Sequence, residues 1–261
     1  MKLDKLNKKS LKAYTLFAGA GGLHLGLEDA GIEVVVASDI DKNSEATHLK
    51  NWPNLPFIKK DCRLLTASEL LDSASGIKPN IMAGGPPCQG FSTIGDKLSS
   101  DPRNDLFSSF LRLAKELQPE IILIENVKTI TTMYGGRFSN WIKKQLYEMG
   151  YDVYLKILNA ADYGAPQLRY RAIFVGTKFH DGFKFPCATH GSDTNKSYNT
   201  VKDAIWDLID KGDEIPNHRI LNHSDKVIER YKLIPEGGKL PPPEELPIEI
   251  RRKNFGNTYK R

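Results

Sequence analysis

Four short stretches of this 261-residue chain combine residue types and spacings that can do chemistry. The sharpest is Gly84-Gly85-Pro86-Pro87-Cys88-Gln89-Gly90-Phe91-Ser92. A free cysteine is usually a small buried hydrophobe. Behind a diproline and ahead of Gln-Gly, Cys88 belongs to a rigid loop instead, because prolines fix φ and make one side chain project reproducibly, as a thiolate nucleophile requires. Cys62 and Cys187 have no such setting and read as structural. The second stretch is Glu125-Asn126-Val127, directly after the apolar run IILI. A carboxyl group at the carboxyl edge of a strand can be partly desolvated, which favours its proton-donating form; the plainer reading is a capping or surface acid. The third is FAGAGG at 17–22, with Asp39 20 positions after Gly19. Such a turn lets backbone approach a ligand and aims helix N–H groups at it, while the acid suits a ribose diol. Its spacing is GxGG, not the GxGxxG of a dinucleotide clamp. The fourth is Gln167-Leu168-Arg169-Tyr170-Arg171, whose arginines share one side of an extended segment and suit phosphate or base-edge contact. For the arginines alone, an exposed strand face is the better reading.

The elements that must hold these stretches follow from periodicity. Short apolar runs alternate with amphipathic stretches from 12 to 176, the pattern of a βαβ sheet. Strands are expected at 13–17, 32–37, 57–58, 81–83, 121–124, 153–158 and 172–176. Helices are expected at 23–30, 42–50, 67–71, 104–117 and 138–149, the last two from stripes such as Phe107, Phe110, Leu111 and Ala114. Gly31 stands where a helix-ending glycine would. After Gly176 the character changes: 180–199 is polar and irregular, 201–209 and 227–233 read as short helices, and IPEGGKLPPPEELP suits no regular structure. A boundary near 178 divides 1–178 from an irregular extension, 179–261.

At 40% hydrophobic and 26% charged, the chain has ordinary globular composition with length enough for a core. It shows no 20-residue apolar span and no secretory h-region, and its three scattered cysteines exclude a disulfide framework or CxxC site. The expectation is a cytoplasmic protein with no membrane partner. The net charge of +5 hides an uneven distribution, since 1–12 carry +4 and 250–261 carry +5, leaving −4 between. A basic balance held at two ends is weak evidence for a nucleic-acid surface.

Taken together and in this order, the four stretches resemble the cytosine-C5 DNA methyltransferases, closely over 13–177 and more loosely beyond. FAGAGG resembles the family's S-adenosylmethionine loop, GGPPCQGFS its nucleophile loop, ENV its acid motif and QLRYR its QxRxR motif; Asp61 and DPRNDL at 101–106 match minor motifs. The resemblance implies an α/β fold, Rossmann-like, with a mostly parallel sheet, an antiparallel strand near one edge and helices on both faces. It implies a catalytic domain over 1–178 and duplex DNA as substrate. A cytosine flipped from the stack would be attacked at C6 by Cys88 while Glu125 supports protonation at N3. C5 would then take a methyl group from S-adenosylmethionine, leaving S-adenosylhomocysteine, with no metal. Arg171 would contact the cytosine, Arg169 its neighbouring backbone, and Asn126 and Gln167 would support the loops. Phe17, Gly19, Gly21, Gly22, Leu23, Asp39, Ile40, Asp61, Cys62, Pro86 and Leu106 would line the cofactor site. The polar stretch 93–104 would close over the flipped base.

Thr15 and Asp39 depart from the family's usual Asp and Glu; Asp39 keeps the carboxylate at shorter reach, and Thr15 touches only a supporting contact. FPCATH, TVKDAIWDL, IPEGG and NFGNTYKR resemble segments that precede the family's last two motifs, which nothing in the sequence matches. Three readings stay open: the larger subunit of a split enzyme, a truncation, or a complete but reduced protein. The first is favoured, with a second polypeptide supplying recognition and the final motifs, so that the chain alone is expected to bind cofactor weakly and methylate DNA poorly. Alternatives are an RNA (tRNA) cytosine-C5 methyltransferase, which would share PPCQ and ENV, and a non-catalytic DNA-binding subunit of a modification complex.

Overall fold

The computed structural model describes residues 11–87, 105–180, 182–212, 214–218, 222–235 and 237–251. Cys88 with the rest of its loop, the 93–104 stretch and most of both basic ends lie outside the described residues.

The apolar runs form seven strands: β1 (Lys12–Leu16), β2 (Glu33–Asp39), β3 (Phe57–Lys59), β4 (Ile81–Gly84), β5 (Ile121–Val127), β6 (Asp152–Asn159) and β7 (Tyr170–Thr177). They make one sheet in the order β3-β2-β1-β4-β5-β7-β6. The first five in that order pair in parallel, and β7 runs antiparallel to both β5 and β6. From β1 the chain moves outward through β2 and β3, then returns to β4 on the other side. The carboxyl ends of β1 and β4 therefore flank a point where strand order reverses, the place where open α/β sheets leave a crevice.

Alternation along the strands serves two faces. Tyr14, Leu16, Ile122 and Ile124 belong to the larger core, with Leu70 of α3 (Ala67–Ser73), Phe107, Phe110 and Leu113 of α4 (Asp105–Leu117), and Phe138, Ile142 and Leu146 of α5 (Arg137–Glu148). Ala13, Val34, Ile81 and Ala83 form the smaller core with Leu27 and the partly buried Leu23 of α1 (Gly22–Asp29). The fold is the mostly parallel α/β sheet with one antiparallel strand near its edge that the sequence led us to expect.

Local readings shift at three places. β1 ends at Leu16, and Phe17 lies beyond it at φ 54, in the left-handed region that non-glycine residues rarely adopt. β5 runs on to Val127, so Glu125 and Asn126 are strand residues and do not follow the strand. The 201–209 helix is α6 (Val201–Ile205) followed by a 3-10 turn, Trp206–Leu208. The chain divides between Ala204 and Ile205 into two compact units. The second is built on α7 (Asp225–Lys232), where Arg230 Nε donates to the Ile250 carbonyl at 2.5 Å and Leu246 and Ile250 are buried.

Behind the glycine turn lies a packed ring cluster that the sequence reading missed. His24 of α1 stacks on Trp52 with centroids 3.9 Å apart, and Trp52 also meets His48 of α2 (Lys42–Asn51) at 5.2 Å. Gly21, at φ 100, accepts this approach because a Cβ there would lie 2.5 Å from Trp52 Cζ3. Both histidines are only 1% exposed. His24 Nε2 comes within 3.2 Å of Glu28 Oε1, but no ring nitrogen of either histidine makes a well-aligned hydrogen bond. Burial lowers the pKa of both below the usual 6.5.

Two outcomes follow. Gly84 sits at the end of β4, where a Cβ would meet the Leu16 carbonyl and a Phe110 ring carbon at 2.8 Å each. Gly84→Ala is expected to cost about 1–3 kcal/mol of stability, read from the midpoint of a denaturant titration. Because His24 and His48 bind protons less readily folded than unfolded, they favour the folded state above pH 6.5. The denaturation midpoint is expected to fall as pH drops through and below that value, and to fall less in His48→Gln.

Candidate active site

Three of the four chemical stretches converge on the carboxyl end of β5. β5 pairs with β4 on one edge and β7 on the other, with Gly84 opposite Ile124, Ile173 opposite Glu125 and Arg171 opposite Val127. This register puts Arg171 diagonal to Glu125, within reach of a long side chain. Arg171 Nε lies 2.6 Å from Glu125 Oε1, and its Nη1 donates to the Tyr170 carbonyl at 2.9 Å. The Glu125 side chain is 36% exposed. Glu125 is thus a partly buried carboxyl, and β7 brings a guanidinium to face it.

The loop after β4 is tied to the same edge. Buried Asn126 donates from Nδ2 to the Pro86 carbonyl at 2.8 Å, and its Oδ1 accepts from the Val127 N–H at 2.9 Å. Gly85 allows the approach, since a Cβ there would stand 3.3 Å from Glu125 Oε2. The Gly85–Pro86 segment is thus held beside Glu125 and Asn126. Gln167 and Arg169 are exposed, and the Arg169 N–H is held by Asn159 Oδ1 at 3.0 Å. Lys128 Nζ stands over the Tyr170 ring at 5.1 Å and adds a cation to this edge.

On the other side of β4, at the strand-order reversal, lies a cavity of about 300 Å³. Of the expected cofactor residues, Phe17, Asp39, Ile40, Asp61, Cys62 and Leu106 line it. Gly19 stands next to it and donates its N–H to Asp39 Oδ2 at 2.8 Å, while Asp39 Oδ1 accepts from the Asp41 N–H at 3.0 Å. Two backbone donors thus fix the direction of the Asp39 carboxylate. Gly21, Gly22, Leu23 and Pro86 are not lining residues: Gly21 backs onto Trp52, Gly22 opens α1, Leu23 packs in the smaller core, and Pro86 accepts from Asn126. The sequence reading overlooked Leu16, Ser38, Lys60, Arg63, Gly85 and Pro87, which also line the cavity. The position directly after a strand was the available signal for Lys60 and Gly85.

Two charges at the rim are settled locally. Arg63 forms a two-pronged pair with Asp61, its Nη2 2.5 Å from Oδ2 and its Nε 3.0 Å from Oδ1. That guanidinium holds the Asp61 carboxyl below its usual range. Cys62 is buried, which pushes its thiol up to about 12 and leaves it protonated and inert at neutral pH. Among the described residues no group of three or more His, Cys, Asp or Glu is placed to hold a metal ion, and no helix is long and apolar enough to cross a membrane.

Known proteins resemble the chain in sequence and in fold. Residues 11–258 match the family model for C-5 cytosine-specific DNA methylase. The chain is 37% identical over 236 residues to the type II methyltransferase M1.HphI of Haemophilus parahaemolyticus, a match covering 88% of this chain and 62% of that protein. It is 35% identical over 219 residues to the type II methyltransferase M.AquIA of Picosynechococcus, covering 76% of this chain and 88% of that one. A solved E. coli prophage structure, described as a DNA modification methyltransferase, superposes with a TM-score of 0.64 at 28% identity, over 88% of this chain and 67% of its own. The chain spans about three-fifths of the length of relatives such as M1.HphI and M.FnuDI of Fusobacterium nucleatum. With its fold, its four motifs and the match over 11–258 in agreement, the chain belongs to the C-5 cytosine-specific DNA methylase family.

Proposed function

We propose that the chain is the catalytic part of a DNA cytosine-5 methyltransferase that uses S-adenosylmethionine and a Cys88 thiolate. The observation that carries this reading is the Glu125–Arg171 pair at 2.6 Å beside the tethered Pro86–Pro87 segment, with an acid-lined cavity across β4.

The cavity fits a nucleoside bearing a charged tail. Leu16, Phe17, Ile40 and Leu106 offer apolar surface for a base, and the backbone-pinned Asp39 carboxylate suits a ribose diol. The open space above Gly19, where a Cβ would meet nothing within 4 Å, leaves the turn free for close ligand approach. When bound, S-adenosylmethionine supplies an electrophilic methyl group. Cys88 adds its sulfur to C6 of a flipped cytosine, forming a C–S bond and placing electron density at C5. Glu125 holds a proton at N3 to accept the charge that develops there, and Arg171 orients Glu125 while contacting the base. Once C5 has taken that methyl group, with S-adenosylhomocysteine as the leaving group, loss of the C5 proton expels the Cys88 thiolate and restores the 5,6 double bond. Arg169 contacts the neighbouring DNA backbone. Asn126 and Gln167 support the two loops.

Target recognition resides on a second polypeptide in this reading. The support is M.AquIA, a relative matched over 88% of its own length, beside M1.HphI, of which two-fifths has no counterpart in the match. The setting is the bacterial cytoplasm, as part of restriction-modification.

The deciding experiment is methyl transfer to mixed-sequence duplex DNA and to tRNA, with and without the polypeptide encoded immediately downstream. Label is expected in DNA, in the mixture; transfer to tRNA alone would make it an RNA enzyme. DNA carrying 5-fluorocytosine is expected to form a denaturation-resistant adduct that Cys88→Ala abolishes; absence of any adduct would favour a non-catalytic subunit. Glu125→Gln is expected to slow turnover about 10²–10⁴-fold. Asp39→Asn is expected to weaken cofactor binding roughly 10–100-fold, the loss of a hydrogen bond to a charged group.

A further inference from the structure

The turn that delivers Arg169 and Arg171 is held from inside and outside by residues that no motif includes. β6 ends on Asn159, an amide only 5% exposed. Its Oδ1 accepts from the Arg169 N–H at 3.0 Å, and its Nδ2 donates to Asp162 Oδ1 at 3.0 Å. The Arg169 carbonyl accepts from the Ala160 N–H at 2.9 Å, so both backbone groups of this arginine are engaged at one point. From outside, Tyr198 Oη donates to the same Asp162 Oδ1 at 3.1 Å, and the Thr189 and His190 N–H groups donate to the Asp162 carbonyl at 2.8 and 3.0 Å. Asn199 Nδ2 donates to the Gly164 carbonyl at 2.7 Å. Gly164 has φ +98, and a Cβ on it would stand 3.0 Å from the His190 ring.

We propose that Asn159 is a positioning residue for the two arginines, acting through the Arg169 amide and Asp162, with Tyr198 and its neighbours as an outer clasp. The inference rests on the reading that these arginines meet DNA. A buried amide side chain is retained where its hydrogen bonds select one geometry. Here that geometry is the register with which the chain enters β7. Arg171, the second residue of β7, owes its place against Glu125 to that register. The irregular stretch 186–199 is then a structural clasp on the substrate-facing turn.

The test uses the full protein, with the downstream polypeptide where activity needs it, and compares Asn159→Ala and Tyr198→Phe with wild type. Amide hydrogen exchange across 164–171 is expected to quicken at least about tenfold in Asn159→Ala and a few-fold in Tyr198→Phe, while 16–23 stays unchanged. The kcat for DNA methylation is expected to fall about 10–100-fold in Asn159→Ala, the effect of an angstrom-scale misplacement, with cofactor Kd within about twofold of wild type. Wild-type exchange at 164–171 in Asn159→Ala would overturn the inference, as would a parallel loss of cofactor binding and kcat. If wild type methylates no DNA, the functional reading fails, and exchange at 164–171 still decides whether Asn159 holds the turn.

Discussion

Strand β5 carries two kinds of ladder at once, parallel to β4 and antiparallel to β7, and the candidate chemistry depends on that double pairing. Parallel pairing puts the loop after β4 at the same end as Glu125. Antiparallel pairing makes the start of β7, with Arg171, meet the end of β5. A parallel β7 would present its carboxyl end there instead, and the arginines would lie across the sheet from the acid. The Arg171–Glu125 contact and the Asn126–Pro86 hydrogen bond are the side-chain consequences of this backbone arrangement. Ladder hydrogen bonds are numerous and cooperative, so they define the site's geometry more firmly than one half-exposed ion pair could.

The cavity across β4 depends on a different constraint. Its glycine turn needs positive φ at Gly19 and Gly21 and a strained φ at Phe17, conformations that persist only when surroundings over-determine them. Those surroundings are the His24–Trp52–His48 stack behind Gly21 and the Asp39 carboxylate that accepts from Gly19. One acid thus serves the fold by fixing the turn while keeping lone pairs for a ligand. In the same neighbourhood, burial keeps Cys62 a thiol.

Much of the fold was legible because a strand buried on both faces reads as an unbroken apolar run and an amphipathic helix as a stripe. Val34–Ala37 and the Phe107–Leu113 stripe are examples. Periodicity reports how each segment is buried, but not which segment lies beside it. An antiparallel strand near one edge was expected from the family resemblance alone, and the insertion of β7 between β5 and β6 came only with the structure. Polar strand ends were misjudged for a related reason: Glu125 and Asn126 look like loop residues, although β7 supplies the partners that keep them in the ladder.

By itself, the sequence determined the chemical inventory. It contains one cysteine in a rigid diproline loop, an acid beyond an apolar run, a glycine turn with its acid, and a pair of alternating arginines. Local covalent constraint accounts for this, since prolines, glycines and side-chain types act wherever the chain goes. Tertiary structure alone decided which of these groups meet. It paired Arg171 with Glu125, drew Ser38, Lys60 and Arg63 into the cavity, buried two histidines behind Gly21 and hung the arginine turn on Asn159. These placements are set by strand order, register and packing, which no local pattern encodes.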